Sequence, residues 1–65
     1  MEKISHALLQ DGHLANLEIS VELQNDRIVL YGQVDSYFLK QIAQEVAKRH
    51  LEEGLRIDNQ IVVYN

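Results

Sequence analysis

Cysteine, proline and tryptophan are all missing from this chain of 65 residues, and glycine occurs only three times. Without cysteine there is no disulfide and no thiolate metal site. Without proline, nothing in the chain forbids continuous helices and strands. Cations are scarce as well: six Lys and Arg against ten Asp and Glu leave a formal net charge of −4. Duplex nucleic acid is bound by neutralising phosphates with Lys and Arg, so this balance argues against a nucleic-acid partner. It also weakens any broad attraction to anionic lipid. No apolar run approaches the ~18 residues that a membrane span needs. The opening segment, Met1 to His6, has no basic stretch followed by an apolar one and is not a signal peptide. As written, the chain stays in the cytoplasm; cut from a longer exported protein, it would sit in the periplasm or at a membrane.

What is present fits one small folded domain over residues 1–65, with 46% hydrophobic and 25% charged residues. A chain of this size draws only about 3–5 kcal/mol of stability from its core. Efficient packing or association with another chain must supply the rest.

The apolar residues fall into regular periods. Ile4, Ala7 and Leu8 share a stripe in a short helix from Glu2 to Asp11, with Gly12 as its stop. From Leu17 to Gln24 the pattern alternates: Leu17, Ile19, Val21 and Leu23 on an inner face, Glu18, Ser20, Glu22 and Gln24 on a wet one. Asn25-Asp26 makes a two-residue turn. The return strand, Arg27 to Val34, places Ile28, Leu30, Gly32 and Val34 inward and Val29 and Tyr31 outward. A glycine within a strand marks close packing, and a helix crossing at Gly32 is the expected cause. Asp35-Ser36 caps a second helix reaching His50, with Leu39, Ile42, Ala43, Val46 and Ala47 as its inner stripe. After a connection with Gly54, a last strand spans Ile57 to Tyr64. It faces Ile57, Asn59, Ile61 and Val63 inward, and Asp58, Gln60, Val62 and Tyr64 outward. A strand–helix–strand unit returns to a parallel strand. The expected fold is α+β in the order α-β-β-α-β, a three-stranded mixed sheet with two helices on one face.

Three segments in this order resemble the BON domain, a family named for bacterial osmotic-stress and nodulation proteins. Ile28-Val29-Leu30-Tyr31-Gly32-Gln33-Val34-Asp35-Ser36 is similar to the family's aliphatic strand with its glycine and polar cap. Ile42-Ala43 to Val46-Ala47 looks like the family helix with paired alanines. Ile57-Asp58-Asn59-Gln60-Ile61-Val62-Val63 resembles its closing strand. Where the family commonly has Gly-Val before that strand, this chain reads Glu53-Gly54-Leu55. The resemblance implies a non-catalytic binding module for phospholipid membranes or envelope components.

No constellation for catalysis stands out. Ser5, Ser20 and Ser36 have no recognisable His–acid partners, and Glu18, Glu22 and Asp58 fall on open strand faces. A fold this small leaves little room for a pocket of ~300 Å³. His6, His13 and His50 do not form a metal-ligand spacing, and His50 suits a helix cap. No enzyme, metal or cofactor is therefore expected. A Gly-x-x-Gly loop of the kind that clamps RNA is also missing. Two surfaces remain. Tyr37, Phe38, Lys40 and Lys48 on the second helix are candidate lipid contacts. Val29, Tyr31, Val62 and Tyr64 on the outer sheet face are a candidate interface for a protein partner or a second copy.

Overall fold

The structure, a computed structural model, describes residues 2–64. Helix α1 covers Glu2–Gln10, strand β1 Ile19–Gln24 and strand β2 Arg27–Val34. Helix α2 covers Tyr37–Arg49, and the chain closes with β3, Arg56–Asn59, and β4, Val62–Val63. The order is α-β-β-α-β with the last strand interrupted. The first and last residues of the expected 1–65 domain lie outside the described part.

Strand β2 is central. It pairs antiparallel with β1 through the Asn25-Asp26 turn and parallel with β3 and β4. Asn25 adopts φ 57, a left-handed conformation that asparagine tolerates. Alternation predicts one continuous strand from Ile57 to Tyr64, and in the structure it is broken for a local reason. The N–H of Ile61 is taken by the Asn59 side-chain oxygen at 3.2 Å. Register nevertheless survives the break, because Gln60 donates to the Leu30 carbonyl at 2.8 Å and Tyr64 to the Val34 carbonyl at 2.9 Å.

Both helices cover one face of the sheet. Ile4 and Leu8 of α1, Ile28, Leu30 and Val34 of β2, and Ala43, Val46 and Ala47 of α2 form one buried cluster with Ile61. Leu14 belongs to it as well, although it lies in the irregular link before β1. That link delays the strand: the Leu17 N–H bonds to the Leu14 carbonyl at 2.9 Å, so β1 starts at Ile19 and not at Leu17. Ser36 caps α2 as expected, its hydroxyl accepting from the Leu39 N–H at 3.3 Å.

Two expectations about the core need correction. The close approach at Gly32 is made by the neighbouring strand and not by a helix. A Cβ there would stand 2.7 Å from the Glu18 carbonyl oxygen, and the residue holds φ 153, which side chains rarely adopt. Leu23, expected inside, is 54% exposed, because it sits at the hairpin end of an edge strand with a neighbour on one side only.

Candidate binding surface

The directions of the elements decide which side chains meet. Strand β2 runs away from the hairpin, α2 runs back towards it, and β3 and β4 run parallel to β2. Helix α1 lies antiparallel to α2. Its first residues, Glu2 and Lys3, line a groove with Arg49, His50, Leu51 and Glu52, while His13, just after α1, touches Phe38 at the start of α2. The end of α1, the start of α2 and the end of β4 therefore share one end of the domain.

That end is apolar at its surface. Tyr37 is 64% exposed, Phe38 57% and Tyr64 52%, and Leu9, near the end of α1, and Val62, in β4, are exposed as well. Of the large hydrophobic side chains exposed in the described residues, Leu23 alone lies elsewhere, at the hairpin end. The aromatic rings are held in place. The Tyr37 hydroxyl accepts from Gln41 Nε2 at 2.9 Å. Phe38 meets His13 edge to face, with ring centres 5.4 Å apart. The His13 N–H in turn donates to Asp11 Oδ1 at 2.8 Å. Around this end the ionisable side chains are mainly acids, Asp11, Glu18 and Asp35, with half-buried Lys40 as the nearby cation.

The expected lipid-contact set therefore splits. Tyr37, Phe38 and Lys40 stand together, but Lys48 is exposed at the far end of α2, about 16 Å along the helix axis.

The outer sheet face is also reshaped. Val29 is buried, at 2% exposure, and is not part of an open patch. Its cross-strand neighbours are Glu22 and Asp58. Side-chain bonds on the same face roof it. Gln24 Nε2 donates to the Tyr31 hydroxyl at 3.0 Å, Arg27 to Asp58 Oδ2 at 2.9 Å, and Gln60 Nε2 to Asp58 Oδ1 at 2.7 Å. Tyr31 is half-buried; Val62 and Tyr64 remain open.

The grooves are roomier than expected but shallow. One of about 600 Å³ lies between the start of α1 and the end of α2, and another of about 460 Å³ is lined by Lys3, His6, Ala7, Gln10 and His50. None of these lining residues is buried, and among the described residues no polar or charged side chain is buried either. His6 and His50 share the second groove without a carboxylate, whereas His13 lies at the other end. The His50 side chain is exposed, and the residue caps α2 with its backbone N–H, bonded to the Ala47 carbonyl.

The family model of the BON domain matches residues 2–65. The chain belongs to the BON domain family. Membership makes it a small binding module of a non-catalytic family. Among curated proteins none matches it. The residues that carry the BON pattern are structural here: Gly32 admits the Glu18 carbonyl, Ala43 and Ala47 are buried beneath α2, and Asn59 bonds across to that helix. The BON pattern thus explains the frame, while the exposed aromatic end lies outside its central strand motif.

Proposed function

We propose that this BON domain attaches to a phospholipid surface through its apolar end. The observation that carries this reading is the pair of exposed aromatic side chains, Tyr37 and Phe38, at the start of α2, with Phe38 packed against His13 just after α1. Aromatic side chains with an apolar body and a polar tip favour the headgroup level of a bilayer. The neighbouring acids mean that binding is driven by apolar burial and not by attraction to anionic lipid. In co-sedimentation, the chain pellets with phosphatidylcholine vesicles, and adding phosphatidylglycerol does not strengthen binding. A Tyr37→Ser/Phe38→Ser double variant stays in the supernatant. Failure of the unaltered chain to pellet with either vesicle removes the reading.

A protein-docking or homodimerisation role is the second reading, favoured by Val62 and Tyr64, which alternate onto the outer face and remain exposed. Sedimentation equilibrium at high protein concentration separates the two: a dimer weakened by Tyr64→Ser supports the second, and a monomer excludes self-association.

A further inference from the structure

Strand β1 has a partner on one side only. It pairs with β2, and no backbone hydrogen bond from another described segment reaches Ile19–Gln24. An open edge is a template for a further strand, and proteins commonly blunt such edges with lysine or proline. The segment from Leu17 to Gln24 contains no Lys, Arg or Pro. Its outer face carries Glu18 and Glu22 with Ser20 between them, and among the described residues neither glutamate has an ion-pair partner. The arginines of the sheet are engaged elsewhere, Arg27 with Asp58 at 2.9 Å and Arg56 with Asp26 at 3.7 Å. On the inner face Val21 is half-buried and Leu23 is exposed. The edge is thus negative on one face and apolar on the other.

We propose that the β1 edge accepts an extended segment of a partner protein in which basic and aliphatic residues alternate. Backbone groups of the added strand pair with those of β1. Its Lys or Arg side chains stand beside Glu18 and Glu22, where opposite charges across a strand pair are favourable. Its aliphatic side chains extend the inner face over Val21 and Leu23. A shallow groove of about 340 Å³, lined by Glu18, Gly32, Gln33 and Tyr64, admits a long basic side chain between a carboxylate and a phenol ring. A second copy of β1 is a poor occupant because it brings no cation to the glutamates. A lipid headgroup offers no backbone to pair. The site shares Glu18 and Tyr64 with the apolar end, but it does not use Tyr37 or Phe38, on which the lipid-facing reading rests.

The test titrates the folded chain with an acetylated and amidated Lys-Val-Lys-Val-Lys-Val peptide. The control is Glu-Val-Glu-Val-Glu-Val, and backbone amide resonances and hydrogen exchange are followed. The basic peptide shifts resonances and slows exchange from Glu18 to Gln24, and the acidic one does neither. A Glu18→Gln/Glu22→Gln double variant, with unchanged Ile28 and Leu30 resonances, binds the basic peptide about fivefold more weakly, as expected for two exposed ion pairs. An equal response to both peptides, no response in β1, or a β1 already protected by dimerisation overturns the proposal. No vesicle is present, so this result and the lipid result stand or fall separately.

Discussion

Asn59 ties the sheet to the second helix: its Nδ2 donates to the Lys40 carbonyl at 3.1 Å. The same amide nitrogen donates to Gln44 Oε1 at 3.3 Å, and Oδ1 accepts from the Ile61 N–H. A polar side chain on the inner face of a strand is costly unless bonded, and here both donors and the acceptor are used. Asn59→Ala therefore destabilises by about 2 kcal/mol in urea unfolding. Asn59→Asp is no better tolerated, because it sets an acceptor against the Lys40 carbonyl. A loss below about 0.5 kcal/mol for either variant would show that the bonds are incidental.

Gly32 and Gly12 form a matched pair of tests. A methyl group at Gly32 meets the Glu18 carbonyl at 2.7 Å on a backbone at φ 153, whereas nothing lies within 4 Å of one added at Gly12. Gly32→Ala costs about 3 kcal/mol from strain and clash together. Gly12→Ala changes stability by less than about 1 kcal/mol. Equal thermal midpoints for the two variants would contradict the strand–strand approach described above.

Val29 behaves as a core residue, although it faces away from the helices. Val29→Ala costs about 2 kcal/mol through lost burial and the space left beneath the Arg27–Asp58 and Gln24–Tyr31 bonds. It leaves any self-association unchanged. If the variant instead unfolds at the same urea concentration as the parent, the side-chain roof does not exist in solution.

On the lipid reading, the two ends of α2 respond differently to substitution. Phe38→Ser abolishes vesicle binding while costing less than about 1 kcal/mol, since its contact with His13 is a single edge-to-face pair. Lys48→Ala, at the other end, leaves vesicle binding as it was. Equal losses from both changes would place the contact along the helix and not at its start.

Much of this frame is legible in the sequence. The alternation of Ile19, Val21, Ile28 and Leu30, the Ser36 cap and the Ala43–Ala47 stripe each follow from local periodicity, and the structure repeats them. Periodicity assigns a side chain to a face but cannot tell what lies over that face. Alternation puts Val29 on the outer side, and it is nevertheless buried, because the side chains over it come from three strands at once. Leu14 carries no period at all, standing in an irregular link. The meeting of Phe38 with His13 is a product of chain direction. No window of neighbouring residues contains it.

The placement of Ile61 has a consequence during synthesis. This side chain is 1% exposed and joins a cluster otherwise drawn from residues 4 to 47. A ribosome-bound chain lacking residues 56–63 contains the sequence of the hairpin and both helices but lacks the strands that pair with the second edge of β2 and the Ile61 side chain that completes the interior. Such a chain presents bare strand edge and apolar surface to its surroundings. Stable folding thus waits for the parallel strand, and a nascent chain stalled before it is the species that chaperones and proteases would meet.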